Sequence, residues 1–210
     1  MDPRSLRAYV LTSTGFVPGR GHADVAAAAI AGGASAVQLR APELDDVRLC
    51  ELAARIAARC RAADVLFVLN DRPAVAARIG AGAHVGQDDD PASAREAIGP
   101  DAALGVSVST PEEALAAERD HADYLAVTVW ATATKPEASP RGLDGLRAVV
   151  ATTMLPVVGI GGIHAGNAHE VLDAGAAGVC VVSAVGAAPD PERATRELVD
   201  AVNTWEARRE

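Results

Sequence analysis

Eight short apolar runs, at residues 8–12, 36–40, 65–70, 83–85, 104–107, 124–129, 156–160 and 178–183, recur along this chain with helix-patterned segments between them. Most of the runs are continuously apolar rather than alternating. A strand of that kind must be covered on both faces, which is the situation of a parallel sheet flanked by helices. The intervening segments carry helical spacing: Leu49, Leu52, Ala53, Ile56 and Cys60 share one face, with Arg48, Glu51, Arg55 and Arg59 turned outward. The final segment opens with Asp190-Pro191, a cap followed by a first-turn proline, and lays Ala194, Leu198, Ala201, Val202 and Trp205 along one stripe. Similar junctions lead from helix to strand at residues 31–34, 80–83 and 174–177, each with glycine to end the helix and small residues beyond. The pattern predicts an α/β fold, a (βα)8 TIM barrel built as a single domain over residues 1–210. An open doubly wound sheet is the alternative, but it wants a glycine-rich turn after its first strand, and Thr12-Ser13-Thr14-Gly15 is a poor match.

Composition excludes several classes of function. The net charge of −9, with no basic stripe interleaved with aromatics, argues against nucleic acid as a partner. No apolar run reaches the roughly 18 residues of a membrane span, and Met1-Asp2-Pro3-Arg4 opens no signal peptide. Cys50, Cys60 and Cys180 are odd in number and lack metal-ligand spacing, so they read as buried thiols of a cytoplasmic protein.

In a barrel of this kind chemistry sits just beyond the strand ends. After the seventh run comes Gly159-Ile160-Gly161-Gly162-Ile163, and the eighth ends in Val182-Ser183-Ala184. Glycines let backbone N–H groups approach an anion, and a helix start beyond adds a favourable dipole, so these loops point to phosphate, with an unliganded tight turn as the plainer reading. Asp71 follows the third run, and Asp88, Asp89 and Asp90 follow the fourth. Carboxylates on neighbouring strand ends suit Mg²⁺ bridging a diphosphate, although an aspartate run also caps a helix such as the one starting near Pro91.

Arg40 ends the second run, where it can fork onto a phosphate or pair with Glu43. The stretch from Trp130 to Gly142 is polar, holds Pro136 and Pro140, and reads as a loop over the site. It contains Lys135, the single lysine of a chain with 18 arginines, which points to a task a guanidinium does not perform. His84 stands where it can line the pocket, while His22, His121, His164 and His169 read as ordinary loop or helix positions.

Together, Val37-Gln38-Leu39-Arg40, Asn70-Asp71-Arg72, His84-Val85-Gly86-Gln87-Asp88-Asp89, Gly105-Val106-Ser107, Thr132-Ala133-Thr134-Lys135 and Val158-Gly159-Ile160-Gly161-Gly162-Ile163 make the chain resemble the thiamine-phosphate synthase family, from about Tyr9 to Val202. Members of that family join 4-amino-2-methyl-5-(hydroxymethyl)pyrimidine diphosphate to 4-methyl-5-(hydroxyethyl)thiazole phosphate, or its carboxylated form, and release diphosphate. The resemblance implies Mg²⁺ as the cofactor, on Asp71 and Asp89. It implies that Gln38, Arg40, Asn70, Ser107 and Lys135 hold the pyrimidine diphosphate, with Lys135, Arg40 and Ser107 closest to catalysis. Thr132, Ala133, Thr134, Gly162, Val182 and Ser183 fall on the thiazole-phosphate site. The expected partners are these small molecules, with no nucleic acid and no membrane, and a homo-oligomer is left open.

The chain also departs from the family pattern. Arg40 is followed by Ala41-Pro42 where Glu-Lys is frequent, so one cation is missing; Arg72 and Arg141 are the candidates to replace it. Val127-Thr128 stands for a usual Gly-Pro. The related thiazole tautomerases carry a histidine near Thr128, which weighs against their chemistry here, as do the retained Asp71, Asp89 and Lys135. Ser109 stands where histidine is common. A non-catalytic sensor of thiamine phosphate or its precursors has only the missing lysine in its favour. A Schiff-base aldolase needs its lysine desolvated within a strand.

Overall fold

The computed structural model describes residues 1–132 and 139–208. A 3₁₀ turn, Pro3–Leu6, leads into β1 (Ala8–Thr12) and α1 (His22–Ala31), then β2 (Ala36–Leu39), α2 (Asp46–Ala62), β3 (Leu66–Asn70) and α3 (Pro73–Ile79). The alternation continues through β4 (Gly82–Val85), α4 (Pro91–Ile98), β5 (Leu104–Ser107), α5 (Pro111–Arg119), β6 (Tyr124–Thr128) and α6 (Gly142–Val150). It closes with β7 (Val157–Ile160), α7 (Ala168–Asp173), β8 (Gly178–Val181), the short α8 (Ser183–Gly186) and α9 (Pro191–Ala207). The strands form a closed parallel barrel in sequence order, β1 pairing with both β2 and β8. The sequence's preference for a barrel over an open sheet is thus met.

The continuous apolar runs have the physical reason expected of them. One face of each strand meets the helices in a large outer core containing Val10, Val37, Leu69, Val106, Leu125 and Val179. The other face fills the barrel interior with Tyr9, Leu11, Ala36, Val68, Ala126, Val158 and Cys180. On α2 the predicted stripe is buried at Leu49, Ala53, Ile56 and Cys60 and half-buried at Leu52. On α9 the apolar stripe omits Thr195, which is fully buried, donates to the Pro191 carbonyl at 2.8 Å and packs on Gly32. Helix starts are capped as the sequence suggests: Asp190 accepts from the Arg193 N–H of α9, and Asp90 from the Ala92 N–H of α4.

Three local expectations are corrected. Cys50 is only half-buried, whereas Cys60 and Cys180 are buried, and desolvation raises the Cys60 thiol to about 11. His22 is no ordinary helix position: it is buried, bonded through Nδ1 to Thr12 Oγ1 at 2.9 Å and through Nε2 to Glu43 Oε1 at 2.8 Å. Glu43 therefore takes His22, not Arg40, as its hydrogen-bonding partner. The contact joins the end of β1 to the segment after β2. Arg20 makes a similar tie, donating to the carbonyls of Gly186, Ala188 and Pro189 and so holding the segment after β1 against the end of α8.

Candidate active site

A cavity of about 410 Å³ opens at the C-terminal ends of the strands, within the size range of small-molecule sites. It brings together Gln38, Arg40, Asn70, Asp71, Asp89, Ser107, Thr132, Gly162, Val182 and Ser183 from segments scattered over the chain. Ala133, Thr134 and Lys135 lie outside the described residues. Arg72 and Arg141 are not among the lining residues: Arg72 pairs with Asp46 of α2 at 2.8 Å, and Arg141 precedes α6. Neither stands at the cavity in this structure.

The acidic side of the cavity is set by backbone geometry. Asp71 leaves β3 with φ +55°, a left-handed conformation that aspartate tolerates, and its N–H bonds the His84 carbonyl of β4 at 2.9 Å. This fixes it at the seam between two paired strands. Asp89 accepts the Gly86 N–H through Oδ2 at 2.8 Å, which folds the turn after β4 back toward the cavity. Asp90 instead caps α4, so the run of three aspartates divides between the two readings its sequence allowed. Its carboxyl is held below the ordinary value by the Ser93 hydroxyl and neighbouring backbone N–H groups. Gln87 also lines the cavity and donates to Ser109 at 2.7 Å and to Glu113 at 3.0 Å, so Ser109 serves as a brace for the rim.

The opposite side is built from main chain and apolar groups. Gly161 and Gly162, after β7, have φ of +93° and +66°. A Cβ on Gly161 would come within 2.5 Å of the Trp130 carbonyl oxygen, and one on Gly162 within 3.1 Å of the Trp130 Cβ. Packing against the segment after β6 thus demands glycine here, independently of any anion. Val158, Ile160, Val181 and Val182 add apolar lining. Beyond Val182 the first turn of α8 leaves N–H groups without intrahelical acceptors, as every helix start does.

Sequence reasoning missed the floor. Both tyrosines of the chain, Tyr9 and Tyr124, are buried in the barrel interior with their hydroxyls 2.9 Å apart. Gln38 Nε2 donates to Tyr9 at 2.6 Å; on the other side the Tyr124 hydroxyl is 3.0 Å from His84 Nδ1, and His84 Nε2 is 3.0 Å from Ser107 Oγ. Burial pushes both phenols well above their ordinary pKa, so both remain protonated. Gly105, opposite Tyr124 in the β5–β6 register, makes the room: any Cβ there would overlap the Tyr124 ring and His84.

The family model for thiamine monophosphate synthase matches residues 8–185. The chain belongs to the thiamine monophosphate synthase family. It is 46% identical to the thiamine-phosphate synthase of Moorella thermoacetica over 198 residues, covering 92% of this chain and 94% of that one. It is 44% identical to the thiamine-phosphate synthase of Archaeoglobus fulgidus, over 96% of both chains. The structure of thiamine phosphate pyrophosphorylase from Pyrococcus furiosus superposes with a TM-score of 0.89 at 37% identity, covering 97% of this chain and 98% of that one. Membership makes the chain an enzyme, a transferase that acts on small molecules. Among the described residues, no helix is long and apolar enough to cross a membrane.

Proposed function

We propose that this chain transfers the hydroxymethylpyrimidine group from its diphosphate to (carboxy)thiazole phosphate, forming thiamine phosphate and diphosphate. The observation that carries the reading is the division of one cavity into an acidic, side-chain-lined half at β2–β5 and a glycine-turn half at β7–β8. Two anionic substrates with different needs fit such a division.

Mg²⁺ fits the acidic half. Among the described residues the lining holds the carboxylates Asp71, Asp88 and Asp89 against one guanidinium, Arg40. A diphosphate entering there meets net negative charge unless a cation accompanies it. Asp71 and Asp89 are the residues that would hold the ion; two carboxylates, with substrate oxygens and water completing the shell, suit Mg²⁺. When bound, it would neutralise charge accumulating on the leaving diphosphate.

The remaining work falls to the chain's own side chains. Arg40 and Lys135 neutralise the departing oxygens, the electrostatic term that matters most when a bond breaks with little covalent assistance. The electron-rich aminopyrimidine bears the methylene cation that departure creates, so no acid–base triad is required. Gln38, Asn70 and Ser107 orient the ring. Thr132, Ala133, Thr134, Gly162, Val182 and Ser183 hold the thiazole phosphate so that its nitrogen faces that carbon, making the second step effectively unimolecular. Incubation with both substrates and Mg²⁺ should yield thiamine phosphate and diphosphate. Absence of product with either thiazole form would sink the reading.

A further inference from the structure

We propose that Tyr9, Tyr124 and His84 are positioning residues: they form a directional hydrogen-bond relay that fixes His84 as the Nε2–H tautomer and thereby commits Ser107 to donate its hydroxyl proton into the cavity. The inference rests on the reading that Gln38 and Ser107 face the pyrimidine substrate.

Direction follows from counting protons. The Gln38 amide nitrogen can only donate, so Tyr9 accepts from it, at 2.6 Å. Tyr9 keeps its own proton, and its remaining hydrogen-bonding partner is the Tyr124 oxygen at 2.9 Å. Tyr9 therefore donates to Tyr124, and Tyr124 donates to His84 Nδ1 at 3.0 Å. An accepting Nδ1 carries no hydrogen, so the ring proton sits on Nε2 and is donated to Ser107 Oγ at 3.0 Å. The Ser107 proton then points to the ligand. The opposite order would leave the Tyr9 proton without an acceptor in a buried site, a costly arrangement.

The other end of the relay is fixed by the same logic. No buried side-chain polar atom among the described residues lacks a partner, and the Gln38 carbonyl oxygen makes no hydrogen bond, so it opens onto the cavity as an acceptor. The relay thus presents an acceptor from β2 and a donor from β5. A ring with an amino group toward Gln38 and a lone pair toward Ser107 is complementary to it. Ser107 sits at the rim, half-buried, while the members that orient it are buried.

The test has two arms. In wild-type protein labelled with ¹⁵N-histidine and free of ligand, His84 should show its proton on Nε2; a proton on Nδ1 overturns the relay's direction. In kinetics, Tyr124→Phe keeps the ring and removes the hydroxyl that bonds both neighbours. It should raise KM for the pyrimidine diphosphate roughly tenfold, about what one hydrogen bond contributes, and leave KM for the thiazole phosphate unchanged. The Tyr124→Phe/Ser107→Ala double variant should be no worse than Ser107→Ala, because the relay acts through Ser107. Fully additive losses would mean that Tyr124 acts on the barrel rather than on Ser107. Wild-type turnover tests the proposed function separately, and the tautomer measurement stands whether or not product forms.

Discussion

The two halves of the cavity mouth are built by different means. Around β2–β5 the lining is made of side chains: Gln38, Arg40, Asn70, Asp71, Asp89 and Ser107, above a buried row of hydrogen-bonded groups. Around β7–β8 it is made of backbone, with Gly161 and Gly162 in left-handed turns, and an apolar wall of Val158, Ile160, Val181 and Val182. Side-chain chemistry can be removed by near-isosteric substitution and leave the fold in place. Backbone chemistry is lost only by adding atoms, and the geometry of the turn is disturbed with it. The halves should therefore respond differently to metal removal, charge deletion and added bulk.

The largest effect is expected from removing the proposed Mg²⁺. Chelation, or Asp71→Asn, should reduce product formation by roughly 10³-fold or more, since the ion would supply several kcal/mol of charge stabilisation at the leaving group. Thiazole phosphate should still bind, as read by calorimetry without the second substrate. Equal loss of both functions would erase the distinction between the halves, and full turnover in excess chelator would remove Mg²⁺ from the mechanism.

Lys135→Ala probes the same charge balance from a second direction. Loss of one electrostatic donor to a transition state lowers kcat by roughly 10²–10³. Lys135→Arg should recover part of this, because a broad planar fork does not reproduce a compact ammonium. Thermal melts of both variants should match the wild type. Wild-type turnover by Lys135→Ala would make the chain's one lysine an ordinary surface residue.

How much of this was written in the sequence depends on how far apart the partners lie. Strands could be read because each is a contiguous apolar run: β1 and β5 have the expected bounds, while the runs at 36–40 and 178–183 end one and two residues earlier, at Leu39 and Val181. The surplus residues Arg40, Val182 and Ser183 leave the ladder and line the cavity. Asp71 and Asp89 could be placed together because adjacent strands pair. The relay could not be read, since Tyr9 and Tyr124 stand 115 residues apart and meet only when the barrel closes. Gly105 was legible only as part of the Gly105-Val106-Ser107 motif: the reason for its missing side chain, Tyr124 lying opposite, was not. His22 looked ordinary because its partners come from two other segments, Thr12 before it and Glu43 beyond.

On the backbone side, Gly162→Val is the sharper tool. A β-branched residue at φ +66° is strained by roughly 1–3 kcal/mol, and its Cβ would press on Trp130 and the Ala131 carbonyl. KM for the thiazole phosphate should rise roughly tenfold or more, the effect expected when about 1.4 kcal/mol of binding is lost. Binding of the pyrimidine diphosphate should change little. A parallel rise in both values would show that the substitution has disturbed the barrel as a whole, and the two-halves description would fail.

The smallest effect tests whether the charged half depends on electrostatics behind the cavity wall. Burial pushes the Glu43 carboxyl up, but the hydrogen bond from His22, its own backbone N–H and the charges of His22 and Arg40 outweigh this and hold it below its ordinary value of 4.5. A depressed carboxyl contributes stability that is fully present above the unfolded-state pKa and lost as pH falls through the lower folded value. Glu43→Gln keeps an acceptor for His22 and deletes only the charge. With the side chain about half exposed, at 49%, solvent screening limits the effect to no more than about 0.5 kcal/mol. Melting temperatures should therefore differ slightly at pH 7, and the gap should close as the pH drops below the ordinary glutamate range. KM for the pyrimidine diphosphate should stay within about twofold of wild type, because at these energies a factor of two corresponds to about 0.4 kcal/mol. A gap that widens in acid would reverse the sign of Glu43's contribution. A large KM change would extend the substrate-binding half outward to Glu43 and His22, behind Arg40.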